Sequence, residues 1–422
     1  MNDAANPGGG ALLVVGAGHA GAELALAARQ AGWAGPIHLL GDEGELPYHR
    51  PPLSKAYLHG EASRESLQLR AQAAYDAARV QVEPDARVQA IDAPQQRITL
   101  ADGRQLPYAA LALCTGGRPR RLSAPGLVET DAPDNLRHLR TLADADALRA
   151  RIRPGVRLVI IGGGYVGLEL AASATQLGAR VTVLEAMPHV LARVTSERVA
   201  RFYEAVHREA GVTVLTGFGI ARVARGGPAP EAPITAIEGA DGRVIEADLV
   251  VVGIGMLPNV ALAEAAGLAV DGGIVIDQGG RSSDPHIWAA GDCTVQYSAL
   301  YGRRLRLESV PNALEQARAV AASLCGKPLP ARAAPWFWSD QFGLKLQMVG
   351  LSQGHDACVI RGDMDKRQFI AFYLREGVVI AADAVNRPGD FVLAKRLVGQ
   401  AARASAAQLA DEAVSLKTLA GA

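Results

Sequence analysis

Residues 11–31 (ALLVVGAGHAGAELALAARQA) recur in close likeness at 157–177 (RLVIIGGGYVGLELAASATQL). Each copy reads as a short β-branched run, a G-x-G-x-x-G turn and a helix with small and aliphatic residues on one face. The glycines are Gly16, Gly18 and Gly21 in the first copy, and Gly162, Gly164 and Gly167 in the second. In such a turn the first glycine permits the tight bend and the second lets a pyrophosphate approach the backbone. The third lets helix and strand pack closely, with the helix N-terminus aimed at the phosphates. One such string in a chain of 46 glycines carries little weight. Two of them, each between a strand pattern and a helix pattern, point to a pair of dinucleotide-binding units.

The acid that follows each unit bears on the ribose. In the second copy the next strand, Val181–Leu184, ends on Glu185. An acid there accepts hydrogen bonds from a ribose diol and repels a 2′-phosphate, so NADH is expected over NADPH. In the first copy the strand Ile37–Leu40 runs into Gly41-Asp42-Glu43, which displaces Asp42 onto the loop. An ordinary turn residue is the competing reading of Asp42. Two sites in one chain imply FAD and NAD(P)H. The string 281–292 (RSSDPHIWAAGD) reads as a strand entering a Gly-Asp turn before a helical segment, and Asp292 at that turn can hold the ribityl hydroxyls of a flavin. Its distance from the first copy implies an FAD domain interrupted by an inserted NADH domain.

Composition narrows the class. Hydrophobic residues at 49% and charged residues at 20% suit a globular chain, and 43 basic side chains cancel 43 acidic ones. That balance gives no support to a nucleic-acid or membrane-surface role. The apolar stretch Leu249–Val270 is broken by Gly253, Gly255, Pro258 and Glu264, so it is not read as a membrane span. The polar start reads as a frayed terminus rather than a signal peptide, and the cytoplasm is the expected location. The four cysteines, Cys114, Cys293, Cys325 and Cys358, form no C-x-x-C pair, so neither a disulfide framework nor a cysteine-clustered metal site is expected.

Longer strings are more specific than the glycines: PPLSK (51–55), TGGRPR (115–120), ESVPNALEQAR (308–318) and APWFWSDQ (334–341). Through them the chain, over roughly 12–391, resembles the FAD-dependent, NADH-specific ferredoxin reductases of the putidaredoxin reductase type, which serve bacterial monooxygenases and dioxygenases. The resemblance implies an α/β fold of two Rossmann-like dinucleotide-binding domains, glutathione-reductase-like, plus a C-terminal α+β domain. The expected boundaries are 1–115 and 248–326 for FAD, 116–247 for NADH, and 327–422 for the last domain. The residues of the last domain agree: Phe369–Leu374 and Val378–Ala382 flank Arg375-Glu376-Gly377 as an antiparallel hairpin, and Leu344–Val349 is another strand.

By matching motif, the resemblance places Ala20, Asp42, Lys55, Val88, Thr115, Gly116, Arg140, Asp292 and Val310 against non-covalent FAD. Lys55 would lie near the flavin ring, where a cation stabilises negative charge on the reduced form, and Glu169 would pair with it. Glu23 holds the equivalent place in the first copy. Tyr165 would cover the flavin until nicotinamide displaces it, Gly255 would give the nicotinamide close backbone access, and Arg193 would reach the adenosine end of NADH.

Related two-dinucleotide flavoproteins pass electrons from flavin to a cysteine pair, which needs two thiols within reach of one another. No such pair exists here, and Pro47–Lys55 occupies the region where the lipoamide-type enzymes carry theirs. Electrons are therefore expected to leave the flavin directly, one at a time, for a 2Fe–2S ferredoxin. Lys55, Glu169 and Tyr165 are the residues expected to tune or shield the flavin. Arg70, Arg318, Trp336 and Trp338 are the docking candidates, with Arg303, Arg304 and Arg306 behind them. The two tryptophans stand two apart in an extended run and so point the same way. Rubredoxin reduction, an NADH oxidase and an NADH-sensitive binding protein are the rival readings, and a monomer is the family expectation.

Overall fold

The computed structural model describes residues 9–128 and 131–421. The chain divides into two compact units, each gathered from separate stretches of sequence.

The first unit comprises residues up to His49, then Arg64–Arg118 and Leu257–Ala333. Its core is a five-stranded sheet in the order Ile287–Ala289, Ala110–Leu113, Leu12–Val15, Ile37–Leu40, Val80–Glu83. Every neighbouring pair runs parallel. The runs Leu12–Val15 and Ala110–Leu113 are buried throughout, as strands covered on both faces must be, which is why they read as unbroken apolar strings. Helix His19–Ala31 follows the first strand and ends on Gly32, a left-handed cap at φ 108°. It packs against helix Val310–Leu324, which Ser309 caps by accepting the Asn312 amide. The segment after Asp292 differs from the expected helix: Thr294–Ser298 is a strand, paired with Ile274–Ile276 and with Arg303–Leu305. The β-branched Thr294 and Val295 favour that pairing, and the helix starts only at Val310.

The second unit comprises Arg50–Ser63, Pro119–Met256 and Ala334–Ala422. It repeats the plan, with parallel strands Thr213–Thr216, Arg180–Glu185, Arg157–Ile161, Leu249–Val252 and Leu136–Arg137 in that order. Helix Tyr165–Gln176 follows the Arg157–Ile161 strand. The same unit holds a five-stranded antiparallel sheet in the order Trp336–Gln341, Leu344–Gly350, Val378–Val385, Gln368–Arg375, Ala357–Asp363, covered by helix Pro388–Gly399. The expected hairpin is present, turning through Glu376 and Gly377 at φ 51° and 75°. Residues 50–63 group with this unit rather than with their sequence neighbours. Ser54 and Lys55 bond Glu169, the Ser173 hydroxyl donates to the Ser54 carbonyl, and the Tyr57 hydroxyl donates to Asp146. Among the described residues no helix is long and apolar enough to cross a membrane, and no cluster of His, Cys, Asp and Glu is placed to hold a metal ion.

Candidate active site

The two glycine turns have the same local structure. Gly16 and Gly162 sit at φ 109° and 112°, where a side chain would drive a Cβ to 2.2 Å and 2.4 Å from the carbonyl oxygens of Cys114 and Gly253. Gly21 and Gly167 are held close to the carbonyls of Gly16 and Gly162, at 1.9 Å and 2.2 Å for an added Cβ. Between them, Gly18 and Gly164 face open space, with nothing within 4 Å of a Cβ. Both are helix N-caps without a side-chain cap, so the first-turn amides of each helix are presented to that space. Each cradle therefore fits the pyrophosphate of a dinucleotide: shape excludes side chains where the chain must turn and leaves room where phosphate must approach.

In the first unit other site residues gather on this cradle. Gly291 lies against Ala20, where an added Cβ would come 3.1 Å from the Ala20 methyl, which sets the Gly291-Asp292 turn beside the fingerprint helix. Gln316 fixes that turn by accepting from the Gly291 amide at 2.8 Å and the Thr294 hydroxyl at 3.0 Å. Thr115 and Gly116 are locked to Asn259, whose amide nitrogen donates to the Gly116 carbonyl and whose carbonyl accepts from the Thr115 hydroxyl. Val310 opens the helix that packs on the fingerprint helix. Asp42 is exposed and bridges Asp85 in an isolated ladder step, and Val88 is the one buried residue of the otherwise largely exposed strand Val88–Asp92.

In the second unit Glu185 is folded onto its own fingerprint. One carboxylate oxygen accepts the Gly163 amide and the other accepts the Met187 amide, each at 2.7 Å, and each oxygen keeps a lone pair for a ribose hydroxyl. Gly255, at φ 106°, has nothing within 4 Å of a Cβ. Arg193 is exposed on the loop after Glu185, and its carbonyl accepts from Gln353. The Arg140 carbonyl accepts from Arg50 at 2.8 Å. Tyr165, at the start of the fingerprint helix, donates to Met348 Sδ at 2.7 Å and packs on Phe337 with ring centroids 5.0 Å apart. Burial pushes its hydroxyl pKa well above the ordinary range.

Glu169 is 5% exposed and Lys55 Nζ lies 2.8 Å from its Oε2. The pairing expected from the resemblance is thus present in the geometry. Two further donors escaped the sequence reading: the Ser54 hydroxyl at 2.6 Å and the Ser339 hydroxyl at 2.7 Å. Both stand inside strings quoted above, PPLSK and APWFWSDQ, yet nothing in their spacing links them to Glu169.

The four cysteines are free, and burial raises each thiol, most strongly Cys114, away from the reactive thiolate. Among the docking candidates Arg70 is exposed, while Arg318 forms an ion pair with Glu23 at 2.5 Å. Arg304 and Arg306 likewise pair with Asp271 and Glu308. The Trp336 and Trp338 rings lie 5.7 Å apart on one side of their strand, and Lys395 Nζ stands 4.7 Å over Trp336.

The profile of the pyridine nucleotide-disulphide oxidoreductases matches residues 10–317, and that of the reductase C-terminal domain matches 336–420. Putidaredoxin reductase of Pseudomonas putida is 47% identical over 409 residues, 97% of this chain and 96% of the relative. The chain belongs to this family, as a ferredoxin reductase of the putidaredoxin reductase type. The ferredoxin–NAD(+) reductase component of the anthranilate 1,2-dioxygenase system of Burkholderia cepacia is 42% identical over 96% of the chain and 98% of that protein. The crystal structure of the covalent putidaredoxin reductase–putidaredoxin complex superposes with a TM-score of 0.92 at 47% identity, covering 98% of each chain. Ferredoxin reductases of this family are FAD-dependent oxidoreductases that use NAD(H). The α/β fold with paired Rossmann-like domains and a C-terminal domain is that of the family.

Proposed function

We propose that the protein is an NADH-dependent ferredoxin reductase whose 2Fe–2S ferredoxin supplies a cytochrome P-450 monooxygenase. In balance, NADH and two oxidised ferredoxins give NAD⁺, one proton and two reduced ferredoxins. The observation that carries the reading is the pair of matched glycine cradles in a chain whose four thiols are all free. A bound flavin supplies the conversion of a two-electron donor into single electrons, and no protein nucleophile is needed.

The residues do the positioning. The Gly16, Gly18, Gly21 cradle with Ala20, Asp42, Val88, Thr115, Gly116, Arg140, Asp292 and Val310 is assigned to FAD. The Gly162, Gly164, Gly167 cradle with Glu185, Arg193 and Gly255 is assigned to NADH. Glu185 favours NADH because its carboxylate repels a 2′-phosphate. Tyr165 shields the flavin until nicotinamide arrives, and Lys55, held by Glu169, offers positive charge to the reduced ring. The NADH domain is taken as 116–256 rather than 116–247, because strand Leu249–Val252 pairs with Arg157–Ile161; the FAD domain is taken as 1–115 and 257–326, and the C-terminal domain as 327–422. The protein is taken as a cytoplasmic monomer.

Arg70, Arg318, Trp336 and Trp338 are assigned to docking. Such transient redox contacts are small and salt-sensitive, and the Glu23 partner of Arg318 reduces the charge it can offer. A dioxygenase in place of the P-450 is the second reading, favoured by the likeness to the anthranilate system's component. The test is an oxygen electrode run beside ferredoxin reduction. NADH oxidation that stays slow in air and rises steeply with added 2Fe–2S ferredoxin supports the reading, whereas rapid oxygen uptake indifferent to ferredoxin makes the protein an oxidase.

A further inference from the structure

The strand Trp336–Gln341 alternates, and its faces are used differently. Trp336, Trp338 and Asp340 stand on one side; Phe337, Ser339 and Gln341 stand on the other. From Glu169 a buried row runs through that second side. Ser339 Oγ lies 2.7 Å from Glu169 Oε1, Gln341 Nε2 lies 3.0 Å from Ser339 Oγ, and His207 Nε2 lies 2.9 Å from Gln341 Oε1. Glu169, Ser339, Gln341 and His207 are all buried, none more than 5% exposed.

The polarity of the row follows from its end. A carboxylate only accepts, so Ser339 donates to Glu169 and turns its lone pairs to the Gln341 amide NH₂. The Gln341 carbonyl is then left for His207, which must carry its proton on Nε2. Burial lowers the His207 pKa and favours the neutral ring this requires. Every donor in the row therefore points toward Glu169, and each bond polarises the next. Lys55 Nζ and the Ser54 hydroxyl share the other oxygen, Oε2.

We propose that Ser339, Gln341 and His207 are positioning residues for Lys55. By satisfying Glu169 from behind, they weaken its hold on the Lys55 ammonium and leave that positive charge available to the flavin. The inference rests on the reading of Lys55 as the residue beside the flavin. Without the Ser339 hydroxyl the buried carboxylate draws more heavily on its cation, and charge is withdrawn from the ring. The sign is fixed: loss of Ser339 makes the flavin harder to reduce.

The test uses the FAD-loaded protein. Ser339→Ala should lower the flavin midpoint potential measured by dye equilibration. It should also slow anaerobic flavin bleaching by NADH about tenfold, the worth of a hydrogen bond to a charged group, at unchanged half-saturation. Ser339→Thr keeps the hydroxyl and should restore both. His207→Gln, which offers an amide N–H in place of Nε2–H, should stay near wild type, while His207→Leu should fall about threefold. Nitrogen-15 histidine labelling should find His207 as the neutral Nε2–H tautomer, a readout available even if Ser339→Ala does not fold. A wild-type potential in Ser339→Ala, an equal loss in Ser339→Thr, or the Nδ1–H tautomer would overturn the inference while leaving the function intact. Wild-type flavin that NADH does not bleach would overturn both.

Discussion

Gly164→Ala separates fold from function at the second cradle. Gly164 has φ −81° and ψ −179°, ordinary extended backbone, and an added Cβ meets nothing within 4 Å. The alanine is therefore unstrained and should stabilise the protein by about 0.4–1 kcal/mol through the unfolded chain. If pyrophosphate lies over Gly164, the new methyl displaces it from the helix amides. Loss of one charged hydrogen bond, about 1.5–3 kcal/mol, weakens NADH binding roughly 10- to 150-fold. Gly162→Ala is the control: at φ 112°, with a Cβ 2.4 Å from the Gly253 carbonyl, it should cost at least about 1–3 kcal/mol of backbone strain before any clash is relieved. Urea midpoints by circular dichroism and NADH titrations followed by flavin bleaching give the two axes. Gly164→Ala should slightly raise the midpoint and lose affinity, and Gly162→Ala should lose both. A Gly164→Ala protein with wild-type NADH half-saturation would refute the reasoning, because the open space over Gly164 would not be where the phosphates sit.

Lys55→Met leaves the Glu169 carboxylate buried with hydroxyl donors alone. Removing one partner of a buried pair costs roughly 3–5 kcal/mol, less here because Lys55 is 21% exposed, and Lys55→Met/Glu169→Leu should recover most of the fall in urea midpoint. Glu185→Ser removes the charge that repels a 2′-phosphate, so the NADPH-to-NADH ratio of kcat/KM should rise about tenfold or more. Asp383 is fully buried under the hydroxyls of Thr195 and Tyr373, and burial lifts its pKa from 3.8 to about 6. The folded protein then keeps a proton that the unfolded chain releases earlier. Stability should fall as pH rises from about 4 to about 6, by roughly 3 kcal/mol at most, and Asp383→Asn should flatten that slope in urea melts.

What the sequence made legible was local. The duplicated strand–turn–helix, Glu185 at the strand end and the Glu376-Gly377 hairpin each occupy a short contiguous window, where glycine placement and alternation decide the structure. The segment after Asp292 departs from the expected helix because the five residues Thr294–Ser298 are too few to show a period of their own, and their strand form depends on the partners Ile274–Ile276 and Arg303–Leu305. The surroundings of Glu169 were illegible for a different reason. Ser54, Lys55 and Ser339 reach it from far-apart stretches, with Gln341 and His207 behind Ser339, and nothing in a single sequence says which distant hydroxyl meets which carboxylate. The alternation that placed Trp336 and Trp338 on one face also placed Phe337, Ser339 and Gln341 on the other, and only packing reveals that the second face meets Tyr165 and Glu169. The exposed arginines behaved similarly: Arg318 reads as a free charge until Glu23 is found beside it.

The most direct test of the central claim is anaerobic stopped-flow mixing of the NADH-reduced, FAD-loaded protein with excess oxidised 2Fe–2S ferredoxin. The account predicts two ferredoxins reduced per NADH consumed, at a rate that falls as salt is raised. Flavin that NADH bleaches but that stays reduced in the presence of ferredoxin would contradict it, leaving the paired dinucleotide fold standing without its partner.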